Sequence, residues 1–116
     1  MRPRRTLRWS SLALLLATTA SLSLPAPARA DDVTEACELF ASGNEHFEHG
    51  MRLSGERRTH ELEAALDDYF ASLSRVRSRN VLYNAALVLA ELERWDDAFN
   101  YWTEYLAVAG LSAEEL

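Results

Sequence analysis

At 116 residues the chain has room for one small domain, and its formal net charge of −6 comes from 18 acidic residues set against 12 arginines and no lysine. That balance opposes binding to nucleic acid or to an anionic membrane surface. The lone cysteine, Cys37, excludes an internal disulfide and leaves a thiol that is idle or pairs with another molecule.

Residues 1 to 30 have the three parts of a secretory signal peptide. Arg2, Arg4, Arg5 and Arg8 give a basic start, residues 12 to 24 an apolar stretch, and Pro25-Ala26-Pro27-Ala28-Arg29-Ala30 a small-residue end, so cleavage is expected after Ala30. A membrane anchor needs roughly 20 strongly apolar residues, and this stretch is shorter and diluted by Ser and Thr. Lipidation at Cys37 is not expected, because Thr34-Glu35-Ala36 lacks the apolar residue that such a signal carries. Arg4-Arg5 has the look of a twin-arginine signal, but Arg8 stands where an apolar residue belongs. Five of the arginines precede position 31 and all the acids follow it, so cleavage takes the net charge from −6 to −11. The expected location is the periplasm or the exterior of a bacterial-type cell, with membrane contact only during export.

The remainder, residues 31 to 116, reads as all-α. Asp31 and Asp32 suit the first turn of a helix over residues 33 to 49, whose apolar positions are Val33, Ala36, Cys37, Leu39, Phe40 and Phe47. Gly50 is read as the turn after it. Residues 51 to 60, with Ser54-Gly55 and Arg57-Arg58, read as an inserted loop, and Thr59 as the cap of a second helix reaching Val76. Leu62, Ala65, Leu66, Tyr69, Leu73 and Val76 give that helix one apolar face. Two more helices follow back to back. Leu82, Ala85, Ala86, Leu89 and Leu92 mark the third, and Trp95, Ala98, Phe99, Trp102, Tyr105 and Leu106 the fourth, both at helical spacing. Ala85, Ala86 and Ala98 let the two axes approach, with Leu89, Phe99 and Trp102 expected to fill the gaps around them. After residues 109 and 110, Ser112-Ala113-Glu114-Glu115 is a capping box, the signature of a helix start.

The stretch from Leu82, Tyr83, Asn84, Ala86 and Leu89 through Arg94-Trp95-Asp96-Asp97-Ala98 to Trp102 and Leu106 resembles a tetratricopeptide repeat. Residues 39 to 50 are similar to the first helix of such a unit, with Gly43 at the close-contact place. Ala65 and Ala98 lie 33 residues apart, as do Leu73 and Leu106, which gives the period independently. The chain departs from the family pattern at Glu93, where Gly is usual, at Tyr105, where a small residue is usual, and at Gly110, where Pro often stands. The resemblance implies two helical hairpins, residues 33 to 76 and 79 to 109, stacked as a short solenoid. It also implies an inner face presenting Phe40, Asn44, Phe47, Asn80, Tyr83, Asn84, Leu87 and Glu91. Asn44 and Asn84 stand where carboxylate-gripping members of the family use asparagines, but Phe40 replaces the expected lysine and the further cations are missing.

Catalytic patterns are weak. His46, His49 and His60 with Glu45 and Glu48 form the one cluster with metal-ligand residue types, but the order is not His-Glu-x-x-His. Asp67-Asp68 and Asp96-Asp97 are expected near the starts of the second helices, where carboxylates suit the dipole. No glycine-rich phosphate loop or Gly-x-Ser-x-Gly is present. The expectation is a non-enzymatic interaction module or scaffold with no cofactor, whose partner is a protein or peptide carrying basic side chains. The alternatives are a structural N-terminal part of a longer multidomain envelope protein and a metal-binding helical protein using His46 and His49. An apolar flank on the last helix, among Trp102, Tyr105, Leu106 and Ala109, is expected to favour self-association.

Overall fold

The computed structural model describes residues 29 to 110. The signal-peptide reading therefore lies almost wholly outside the described residues, as does the capping box at Ser112 to Glu115. Four helices make up the described part: α1 (Ala30–Met51), α2 (Gly55–Arg75), α3 (Arg79–Glu91) and α4 (Trp95–Ala109). The protein is all-α. Three-residue turns join α1 to α2 and α3 to α4, so each pair runs antiparallel as a helical hairpin. None of these helices is long and apolar enough to cross a membrane.

The first hairpin closes through small residues at every seventh position of α1. Ala36, Gly43 and Gly50 are its buried residues, and each receives a larger residue of α2. Ser72 donates from its Oγ to the Ala36 carbonyl at 2.8 Å, Tyr69 lies across Gly43, and Leu62 lies against Gly50. A Cβ at Gly43 would stand 2.5 Å from Tyr69 Cε1, so the ring occupies the space that any other residue would need. Helix α2 answers with Leu62, Ala65, Leu66, Tyr69 and Ser72, a single face at helical spacing.

The core continues from α2 into α3 through Val81, Ala85, Val88 and Leu89, with Ala98 of α4 at its edge. Leu62, Leu66, Leu82 and Leu89 are each 2% exposed or less. At ~1.5–3 kcal/mol for each such side chain, α2 and α3 carry the largest share of the burial. Helix α4 leans on both, through the Phe70–Tyr101 stack at 5.3 Å and through Tyr83, whose ring meets those of Trp102 and Tyr105 at 5.4 Å each.

Several expectations change. Residues 51 to 60 are not an inserted loop, since the turn is only Arg52, Leu53 and Ser54 and α2 begins at Gly55. Arg52 and Leu53 donate to the carbonyls of His49 and Gly50, and Gly55, at φ +64°, swings the chain into α2. The ten residues lengthen the hairpin instead of interrupting it. Gly50 is buried within α1 and is not the turn. Thr59 lies inside α2, where its Oγ1 bonds the Gly55 carbonyl at 3.4 Å, so it caps nothing. Asp67 and Asp68 accordingly fall in the middle of α2, whereas Asp96 and Asp97 do occupy the first turn of α4. Val33 and Cys37 are exposed, because the face of α1 that meets α2 is the Ala36, Gly43, Gly50 line.

The turn between the second pair follows the reading. Leu92, Glu93 and Arg94 connect α3 to α4, and Glu93 takes the left-handed conformation at φ 60°. Its N–H donates to the Ala90 carbonyl and that of Arg94 to the Leu89 carbonyl, both at 2.9 Å, which satisfies the end of α3. Glutamate pays ~1–2 kcal/mol for that conformation relative to glycine.

Candidate functional site

The eight residues of the expected inner face divide into two groups. Phe40 and Phe47 are partly buried and pack on the core, Phe40 with its ring 6.0 Å from that of Tyr69. Asn44 is a junction. Its Oδ1 accepts from the Tyr69 hydroxyl at 2.6 Å and from Asn84 Nδ2 at 3.0 Å, joining α1, α2 and α3 at one oxygen. Burial pushes the Tyr69 phenol up to about 12, so it stays a proton donor across the ordinary pH range. An amide oxygen with two donors has little left to offer a ligand. Asn80 is exposed at the start of α3, and Glu91 is held by Arg58 of α2 at 2.5 Å.

Tyr83 and Leu87 belong with a different surface. Leu87, Ala86 and Ala90 of α3 face Trp95, Ala98, Phe99 and Trp102 of α4 across a groove of about 380 Å³. Its floor is alanine, its α4 wall is Trp95, Phe99 and Trp102, and its α3 wall is Leu87. Trp95 is 64% exposed and Phe99 69%, the two most exposed large apolar side chains of the described residues. Phe99 therefore fills no gap between the helices, contrary to the expectation. Leu106, placed on the exposed flank by the sequence reading, is buried at 6%, and Trp102 and Tyr105 stack on each other at 5.2 Å. The physical cause is that α4 carries two neighbouring apolar stripes. Ala98, Tyr101 and Tyr105 share one stripe and Trp95, Phe99, Trp102 and Leu106 the next, which is exposed at Trp95 and Phe99 near the start of the helix and buried at Leu106 near its end. Together they are wider than the single face α3 can cover.

Acidic residues lie beyond the end of the groove, around a separate depression that shares Trp95 with it and is lined by Glu93, Arg94, Asp96 and Asp97. Asp97 is two residues from both Trp95 and Phe99 and so lies on the far side of α4 from the groove. Glu93, Asp96 and Asp97 are exposed where α3 turns into α4, and none has an ion-pair partner among the described residues. The nearby Arg94 is engaged with Glu63 of α2 at 3.2 Å.

The titratable side chains gather between α1 and α2. Ser42 Oγ donates to Asp68 at 2.6 Å, His46 Nδ1 bonds Glu61 at 2.7 Å, and His49 Nδ1 lies 3.4 Å from the same Glu61 oxygen. The bond from His46 holds the Glu61 carboxyl below the usual carboxylate range. A serine, an aspartate and a histidine meet here, but the Ser42 hydroxyl donates to the Asp68 carboxylate and not to the imidazole, which is not the serine–histidine–aspartate order of a nucleophilic triad. Among the described residues no three His, Cys, Asp or Glu side chains are placed to hold a metal ion. The arrangement fastens α1 to α2. A broad depression of about 600 Å³ over Gly55 to Glu63 is lined by α2 alone and is open surface.

No protein-family model, curated protein or solved structure matches the chain. The functional reading therefore rests on the residues. Trp95 and Phe99 are what the sequence reading missed as exposed groups. Their spacing with Trp102 is helical in itself, but Leu106 continues the same stripe and is buried, so the spacing does not mark the two as exposed.

Proposed function

We propose that the chain is a binding module without chemistry of its own, an exported helical scaffold of the tetratricopeptide type that takes up a segment of another protein. The observation that carries this reading is the α3/α4 groove, with Trp95 and Phe99 standing in solvent over an alanine floor. Fully burying a large apolar side chain is worth ~1.5–3 kcal/mol, so a partner that covers both gains substantially from two residues. Binding hot spots are enriched in tryptophan, and Trp95 and Trp102 both line this groove. The offset of 33 residues between Ala65 and Ala98, both buried, supports a repeated hairpin. The leader-like residues 1 to 30 support export.

The test is site-specific photocrosslinking in cells that export the chain, with the reactive side chain at position 99 or, as control, at position 52 on the first turn. A discrete adduct at 99 and none at 52 is expected. Absence of an adduct at both would remove the reading.

A further inference from the structure

Resting on that reading, we infer that the occupant of the α3/α4 groove is an amphipathic α-helix of a partner protein, with lysine or arginine beside its apolar stripe at the end nearest Glu93 and Asp96. The shape selects a helix. Two antiparallel helices form the walls, and Ala86, Ala90 and Ala98 on the floor let a third axis approach to the ~8–10 Å of close helix packing. From Trp95 to Trp102 the groove runs two helical turns, about 10 Å, which matches a partner stripe with residues at i, i+3 or i+4, and i+7. An extended peptide has no such match, because among the described residues there is no strand edge to pair with its backbone.

The charge selects the flanks. The chain after position 30 carries a net −11. Glu93 and Asp96 border a depression that shares Trp95 with the groove, neither forms an ion pair among the described residues, and the Arg94 beside them is engaged with Glu63. A cation placed beside them meets an attractive field, and an anion a repulsive one. The same excess of acid argues against a second copy of this chain, since each copy brings the same surface toward the other.

The experiment follows the fluorescence of the full chain, whose Trp95 and Trp102 line the groove, during titration with three model peptides of about fourteen residues. The first has a leucine stripe at helical spacing with lysines flanking one end. The second keeps the stripe and carries glutamates instead. The third keeps the lysines and scrambles the stripe. The first should bind, and the other two should bind at least about 10-fold more weakly. Phe99→Ala should weaken the first peptide by about 10-fold or more, and Glu93→Gln with Asp96→Asn by about 2- to 5-fold with a flatter salt dependence. Phe99 is mostly in solvent, so its removal leaves the fold intact, and circular dichroism of the variant checks this.

Equal binding of the scrambled peptide, or unchanged binding by Phe99→Ala, would overturn the groove assignment. Equal binding of the glutamate peptide would overturn the charge assignment. Concentration-dependent dimerisation that is lost in Phe99→Ala would make the occupant a second copy and overturn the inference. A photocrosslinked adduct at position 99 together with no peptide binding would sink this inference alone, whereas no adduct and no binding would sink the binding-module reading as well.

Discussion

Gly43→Ala adds one methyl group at the most crowded point between α1 and α2. On an exposed helix surface the change stabilises by about 1 kcal/mol, since alanine is the better helix former. Here the new Cβ would stand 2.5 Å from Tyr69 Cε1 and 2.6 Å from Cδ1, well inside carbon–carbon contact. The ring has nowhere to go. Tyr69 is fully buried, its hydroxyl is committed to Asn44, and Phe40 packs beside it. Overpacking of this kind costs typically ~1–3 kcal/mol, and losing the Tyr69 hydrogen bond adds about 1 kcal/mol. The net expectation is a destabilisation of about 1–3 kcal/mol. Urea unfolding followed by helical circular dichroism measures it as a lower midpoint with an unchanged slope. Tyr69→Leu, itself destabilising, should absorb much of the cost of Gly43→Ala when the two are combined, because the clashing ring is gone. A midpoint for Gly43→Ala equal to or above the wild type would refute the close approach. Strict additivity of the pair would show that the clash is not with Tyr69.

Other expectations follow from single features. Ala98→Trp should lower the melting temperature far more than Asp97→Ala, since Ala98 is buried at 8% in the core and Asp97 is exposed; equal losses would contradict the register of α4. Tyr69 keeps its proton in the fold up to about 12 while an unfolded chain releases it near 10, so stability should be level below pH 10 and fall as the pH rises toward 12, an alkaline loss that Tyr69→Phe should blunt. Glu61 has a lowered folded pKa, so its contribution is present above the ordinary carboxylate range and disappears as the pH falls through that lowered value; stability curves of wild type and Glu61→Gln should converge in acid, and parallel curves would speak against the His46 bond. Mass spectrometry of the exported protein should find Asp31 at its N-terminus, and a chain that retains residues 1 to 30 would end the export reading.

The helical class and the second hairpin were legible because their signals are local. The three-and-four spacing of Leu82, Ala85, Ala86 and Leu89 and the break at Glu93 and Arg94 sit within a few residues of what they specify. The start of α2 was hidden, because Ser54-Gly55 with two arginines has the composition of a loop. Nothing in residues 56 to 60 stops a helix, and the packed face from Leu62 onward draws the helix back to Gly55. The candidate site was legible in part. Leu87, expected on a presenting face, lines the groove, whereas Tyr83 packs against Trp102 and Tyr105 beside it. The junction at Asn44 is not legible locally, because its partners, Tyr69 and Asn84, lie 25 and 40 residues away. The exposure of Phe99 is not legible in the spacing, because Leu106 continues the same stripe and is buried, and only the packing of α3 against α4 tells the two apart.

The Asn44 oxygen receives one donor from its own hairpin and one from the other. If α3 and α4 open together, Asn84 leaves but Tyr69 stays seated on Gly43, so the first hairpin keeps its seam. Helix α4 buries only Ala98 and Leu106 among the described residues, whereas α3 buries six, so α4 should exchange its amide protons sooner than α3. The groove lies along that looser helix. Whatever settles there holds α4 onto α3, and occupancy becomes readable as slowed amide exchange along α4 with little change along α1.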